Sequence, residues 1–281
     1  MTFSHLSYLS HLSPLCSPHS PPAPSLSLRA SWRTSVSFSL LSVLLSVGLA
    51  FISTPQEAHA KGWRVAKRAD GIVVSTRNEP NRDLPSFKGT GRVKAGMFEI
   101  LAILKDGARR REWMTKSGLT STLKRINRWE SISYQQTIAP WPASDREVVM
   151  HTKVYQRTSP RELIATFDHV KWTQPIKGVD RDDFVDMPYL KGYWRMVWIS
   201  DNETEVTYMV NTDPGGMLPN WLIKRISRDL PYWTLLGLRK QVTKDLSGYQ
   251  NFLNTFDPKY AGDKVKAVPP KPSAEVLERL K

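Results

Sequence analysis

The stretch LPNWLIKRISRDLPYWTLLGLRKQV, residues 218–242, decides how the rest of the chain is read. Leu218, Leu222, Ile223, Ile226, Leu230 and Trp233 recur at helical spacing, with Lys224, Arg225, Ser227 and Arg228 on the opposite side. The pattern predicts a helix with one apolar stripe and a basic back. Asp213-Pro214-Gly215-Gly216 stops the preceding element, and Pro219 suits a first helical turn, where its missing N–H is not needed. Pro231 falls inside the run, removes an intrahelical bond and predicts a kink, with the helix resuming near Tyr232. Two readings stay open: an ordinary core helix, or a kinked lid over a cupped sheet.

Upstream of this helix the pattern is mostly of strands. Residues 63–77 alternate on both sides of Asp70-Gly71, a dipeptide suited to a two-residue hairpin turn. Phe87 to Val93 reads as a third strand. Met97, Phe98, Ile100, Leu101 and Leu104 then switch to helical spacing up to Gly107, and Arg109 to Met114 adds a short helical turn. The tract Arg109-Arg110-Arg111 reads as a solvated face. Further strands are expected at 128–138, 146–156, 162–171, 192–199 and 205–212, with a long mixed loop at 172–189 of the kind that often forms an entrance or lid. Strand follows strand with short breaks, which points to an α+β antiparallel meander rather than alternating βα units.

Three regions are expected: residues 1–60 as an N-terminal extension and export signal, 61–257 as the folded domain, and 258–281 as a Lys/Pro-rich tail whose periodicity allows only a short helix near 274–280. Arg29 and Arg33, the apolar run Val36 to Ile52, and Ala58-His59-Ala60 together have the make-up of a signal peptide cleaved after Ala60, giving a periplasmic or secreted protein. Retention of that run as a membrane anchor is the alternative. Cleavage would remove the only cysteine, Cys16, so stability must come from burial rather than disulfides. It would also leave only His151 and His169 of the six histidines, which excludes a His-rich metal centre. A net charge of +14 suits a transient contact with an anionic membrane face, whereas nucleic acid is not an expected partner of an exported chain.

Enzymatic signatures are missing: there is no phosphate-cradling loop, dinucleotide fingerprint, H-E-x-x-H or G-x-S-x-G. His151 falls on a polar row with Glu147 and Lys153, and His169 shares a row with Leu163, Ala165 and Phe167, as a core histidine or a cavity polar group. Binding fits better. One row of the strand at 128–138 holds Trp129, Ser131, Ser133, Gln135 and Thr137, and the next strand offers Val148, Met150, Thr152 and Val154. Small hydroxyls beside aliphatic groups suit a lipid-sized pocket, although the same row could face water.

Ala139-Pro-Trp-Pro-Ala-Ser-Asp-Arg146-Glu, leading into a strand, resembles a segment of the StAR-related lipid-transfer (START) domain. Arg111-Glu-Trp113, Met187-Pro-Tyr-Leu-Lys191-Gly192 and Asp213-Pro-Gly-Gly-Met-Leu218-Pro219-Asn-Trp221-Leu follow in the family's order, so that the resemblance covers about residues 62–256. It implies an exported bacterial member with a helix-grip fold, in which a curved antiparallel sheet wraps a long C-terminal helix around an internal cavity. It also implies non-catalytic binding of a single lipid (sterol, neutral lipid or phospholipid), carriage between membranes, no cofactor and a monomer. Arg146 matches the motif arginine expected to pair with a carboxylate, and Asp213 and Gly216 belong to the turn before the helix. Charged residues often occupy the positions of Ser133 and Thr152 in cholesterol- and phospholipid-binding relatives, and their absence favours a sterol, neutral or fatty-acyl guest. The expected wall comprises Trp129, Ser131, Ser133, Met150, Thr152 and Met187, with Trp194, Met196, Tyr208, Leu222, Ile226 and Leu230. Lys224, Arg225 and Arg228 would face the membrane. Related helix-grip proteins include cyclases and hydrolases, and the enzyme alternative would need His169, Asp168 or Glu130 to meet inside the cavity.

Overall fold

The computed structural model describes residues 62–80, 82–265 and 267–281; the expected export signal lies outside them. Two strands, β1 (Arg64–Ala69) and β2 (Ile72–Arg77), form the expected hairpin. Asp70 and Gly71 both take positive φ, 50° and 64°, as a tight turn matched to strand twist requires. Next come β3 (Ser86–Val93) and α1 (Met97–Lys105), the latter buried on all sides from Met97 to Leu104. A 3-10 turn at Arg110–Glu112 leads to β4 (Ser117–Asn127), followed by β5 (Glu130–Thr137), β6 (Arg146–Arg157) and β7 (Glu162–His169). After the two-residue β8 (Val185–Asp186) come β9 (Tyr189–Ser200), β10 (Glu203–Asp213) and α2 (Asn220–Gln241).

The strands make one sheet in the order β1-β2-β3-β10-β9-β7-β6-β5-β4, antiparallel throughout, with β8 paired in parallel to β6. The architecture is the α+β helix-grip arrangement, a curved antiparallel sheet with α2 laid across it. Sequence pattern gave no sign of β4. Its Ser-Gly-Leu-Thr-Ser-Thr-Leu-Lys-Arg-Ile-Asn is polar and partly exposed, and three register shifts against β5 destroy any simple alternation. Such an edge strand is held by its backbone rather than by an apolar row.

Helix α2 runs unbroken through Pro231 instead of stopping and resuming. Its C-terminal half is bound to the sheet at very short range. A Cβ on Gly89 of β3 would meet the Pro231 side chain at 3.1 Å and its carbonyl at 3.2 Å. A Cβ on Gly237 would lie 1.9 Å from the Trp113 carbonyl oxygen, so only glycine fits. Arg239 adds bonds to the Arg92 and Asp70 carbonyls at 2.8 and 2.5 Å, and the Tyr232 hydroxyl donates to Asp70. Leu235 and Leu238 are fully buried.

The C-terminal segment corrects the expectation of a tail. Following α3 (Gln250–Phe256), α4 (Pro258–Ala261) is fastened to α1: Glu99 accepts from the Tyr260 hydroxyl at 2.5 Å and from Lys259 at 3.2 Å. Beyond it, Gln156 N–H donates to the Pro270 carbonyl, and α5 (Ala274–Glu278) is anchored by Arg279 to Asp168 at 2.9 Å. Leu280 packs on Trp63, Tyr193 and Met209. The short helix expected near 274–280 is present as α5; the rest of the segment looked structureless because its order comes from the surface beneath it, not from a periodicity of its own.

Two outcomes are expected. Gly237→Ala should lower unfolding stability by about 2 kcal/mol or more in urea titration, because backbone must move, while Gly248→Ala, with nothing near the added methyl, should be close to neutral. Burial alone would raise the Glu99 carboxyl, but bonds from Tyr260, the Gly96 N–H and Lys259 hold it below its ordinary value. That stabilisation is complete above the ordinary glutamate range and is lost as pH falls through the lowered value. Glu99→Gln should therefore destabilise clearly at about pH 7 and progressively less as the pH is taken down through the acid range, as denaturation curves across that range would register.

Candidate functional site

The N-terminal half of α2 does not rest on packed side chains. Beneath it lies a cavity of about 180 Å³, with Leu218 just before the helix and Leu222, Ile226 and Leu230 of its apolar stripe among its lining. Met150 of β6, Met187, Trp194 of β9 and Tyr208 of β10 line it from the sheet side. Trp194 and Tyr208 stack with ring centroids 4.2 Å apart, and Trp113 meets Trp194 edge-on at 6.0 Å. Burial holds the Tyr208 hydroxyl well above the usual tyrosine range, so it stays protonated.

A second cavity of about 110 Å³ is lined by Trp129, Ser131, Ser133 and Thr152, together with Thr120 and Thr122. Arg110, Met150, Phe167 and Trp194 line both cavities and so form the partition between them. Trp129 abuts Phe252 and Phe256 of α3 edge-on, at 6.3 and 5.0 Å. The serine row, left open between water and pocket, lines the hollow: Ser131 and Ser133 the smaller cavity, Gln135 and Thr137 the larger. Cross-strand pairing sets Ser131 opposite Thr152 and Ser133 opposite Met150. Met196 departs from expectation. It is fully buried in the solid core and lines neither cavity.

Arg146 corrects another expectation. Its guanidinium donates to the backbone carbonyls of Ser144 and Gly215 rather than to a carboxylate, tying the loop before β6 to the turn before α2. Burial holds it below the ordinary arginine value, and Asp145 opposes that only in part. The carboxylate of the same motif, Glu147, instead takes Arg181 at 2.5 Å and the Tyr134 hydroxyl at 2.8 Å. The 172–189 loop is thereby pinned to the sheet. Asp213 accepts from Gly215 N–H at 2.9 Å, and Gly215 and Gly216 take φ of 67° and 62° to turn the chain into α2.

Arg110 was missed. Sequence placed it on a solvated tract; Arg109 does pair with Glu112 at the surface, but Arg110 turns inward, donating to Gln135 Oε1 at 2.9 Å and the Leu104 carbonyl at 2.7 Å. Its Nε is buried without a partner. Desolvation lowers its pKa against the pull of Asp106, yet a guanidinium remains charged. A signal was present in the spacing. In a 3-10 turn residues three apart eclipse, so the buried Trp113 carries Arg110 to its own side.

The three residues named for the enzyme alternative lie elsewhere. Glu130 meets His151 at 2.7 Å and Lys153 at 3.1 Å, Asp168 pairs with Arg279, and neither they nor His169 line either cavity. Lys224, Arg225 and Arg228 are exposed on α2, with Arg228 paired to Asp229 at 2.9 Å. Among the described residues no three His, Cys, Asp or Glu side chains gather as a metal site requires, and no helix is long and apolar enough to cross a membrane.

No family model matches the chain. It is 29% identical over 187 residues to an uncharacterised protein of Pseudomonas aeruginosa, covering 66% of this chain and 90% of that one. The human StAR-related lipid transfer protein 5 is 20% identical with a TM-score of 0.57, covering 66% of this chain and 88% of that one, a likeness of fold. A solved fragment of the STAR-related lipid transfer protein of Xanthomonas axonopodis is 31% identical, with a TM-score of 0.58, over 65% of this chain and 99% of that one. By that identity over nearly the whole of the Xanthomonas fragment, the chain belongs to the StAR-related lipid transfer family.

Proposed function

We propose that this protein holds one lipid in the paired cavities and carries it between membranes, acting as a binding protein and not as an enzyme. The observation that carries this reading is the apolar hollow under the N-terminal half of α2. Size sharpens it. An engineered apolar cavity of about 150 Å³ takes a benzene molecule, so the larger cavity alone suits a ring and not a lipid. A full-length guest must occupy both cavities, with the Met150 and Trp194 side chains of the partition moving aside. A methionine is well suited to such repacking.

Loading needs a gate, and α2 has the makings of one. Its half beyond Pro231 is fixed to β3 and the β1–β2 turn, while the half before it spans the cavity. Pro231 cannot donate to the Ser227 carbonyl, and Ser227 Oγ bonds back to Ile223 O at 3.0 Å, so the junction is softened there. Trp141 and Met217, 89% and 98% exposed, follow the cavity-lining Pro140 and precede Leu218. Together with the half-exposed Trp221 they would enter a bilayer beside the gate while Lys224 and Arg225 meet anionic headgroups. Export past an inner membrane, from the signal-like residues 29–60, would set this carrier in the periplasm or outside the cell.

The test is transfer of fluorescent acyl lipids from donor to acceptor vesicles, with recovery of a one-to-one lipid complex by native mass spectrometry. Ile226→Trp, which fills the larger cavity, should abolish loading; a native chain that never takes up lipid would overturn the reading. Pro231→Ala restores the missing helix bond and should slow transfer several-fold while changing equilibrium loading little. Equal transfer rates would show that the helix does not open at Pro231.

A further inference from the structure

The linings of the two cavities contain no aspartate or glutamate, but they include Arg110, Lys116 and Arg146 in the larger and Arg110, Lys105 and Arg125 in the smaller. Burying a cation without a counter-ion is unfavourable, and proteins ordinarily supply a carboxylate. Arg110 has none among the described residues. Two of its five N–H groups donate to neutral oxygens, of Gln135 and Leu104, and its Nε has no partner. Asp106, the acid whose charge acts on it, is spent elsewhere, accepting from Arg109 N–H at 3.2 Å and the Tyr249 hydroxyl at 2.8 Å.

The two cavities also differ in chemistry. The larger is walled mainly by aliphatic and aromatic groups, with Ser117, Thr137 and its cations a minor part of its surface, whereas the surface of the smaller is about half polar, with hydroxyls from Ser131, Ser133 and Thr152 beside its cations. Arg110 stands at the partition, within reach of a guest in either. We propose that the guest is an acidic lipid, its anionic headgroup seated in the smaller cavity against Arg110 and its apolar chain in the larger one. This rests on the lipid-binding reading above and narrows it. It also replaces the expectation, drawn from uncharged Ser133 and Thr152, that no buried charge meets the headgroup, because the charge arrives from the 3-10 turn instead of the strands. A zwitterionic head is disfavoured: nothing anionic lines the site to receive its ammonium, and the Trp129 ring already has Lys105 Nζ 5.8 Å from its centroid. Carboxylate and phosphate share the required chemistry of charged oxygens accepting from a guanidinium.

The experiment is calorimetric titration of the full chain with four monooleoyl amphiphiles below their micelle concentrations: oleate, lysophosphatidic acid, lysophosphatidylcholine and monooleoylglycerol. At least one anion should bind about tenfold or more tightly than both uncharged-overall lipids, as one charge-assisted contact implies. Tighter lysophosphatidic acid identifies a phosphate headgroup and tighter oleate a carboxylate, and either supports the proposal. In Arg110→Met the preference for the anion should fall below about twofold. Should that variant melt early, Lys105→Gln takes its place and should cut the preference several-fold. Binding of the neutral or zwitterionic lipid as tightly as the anions, or a preference that survives in the folded variants, would overturn the acidic-lipid assignment while leaving lipid carriage intact. No binding by any of the four would overturn both.

Discussion

Backbone pressed against backbone at two glycines is the constraint on which this architecture turns. Gly89 brings the sheet up to Pro231, and Gly237 brings α2 up to the Trp113 carbonyl. Glycine inside a helix is unfavourable by about 1 kcal/mol relative to alanine, so its presence at 237 is offset by the approach it permits. With the C-terminal half of α2 held that close, the direction of the N-terminal half is set, and that half passes over a space which Met150, Trp194 and Tyr208 do not fill. The hollow is a consequence of where the helix is attached.

Charge is distributed to match. On the sheet, buried acids are matched: Glu162, fully buried, takes Arg157 at 2.7 Å and Arg195 at 2.6 Å, and Glu147 takes Arg181. Breaking such a pair leaves a stranded charge and is strongly destabilising. Side chains alternate across a strand, so Tyr193, next to the cavity-lining Trp194, faces the other way, where Leu280 and α5 cover it. One face of the sheet thus has its acids matched by arginines of the sheet and the 172–189 loop and is partly covered by the chain's own end, while the other carries cations with no acid in the cavity linings.

Much of this was legible in the residues. The hairpin at Asp70-Gly71, the strands with alternating rows and the stripe of α2 as far as Leu230 follow from local rules, and the structure follows them; Trp233, read into the stripe, is exposed, and Ser227, read onto the basic back, is buried with its hydroxyl on the Ile223 carbonyl. What escaped notice depended on contacts between distant parts. Strand β4 has an irregular register and a polar composition, so it reads as a loop until β5 is beside it. The segment after Asp257 is ordered by Glu99 and Asp168, neither near it in sequence. Arg110 belonged to a run of three arginines whose outer members face solvent, and only the 3-10 geometry separates it from them. The serine row was undecidable by pattern, since hydroxyls facing water and hydroxyls facing a hollow look alike in sequence.

An uncompensated guanidinium inside the fold has a thermodynamic corollary. Whatever relieves Arg110 of its isolation binds the folded chain and not the unfolded one, and so raises stability by mass action.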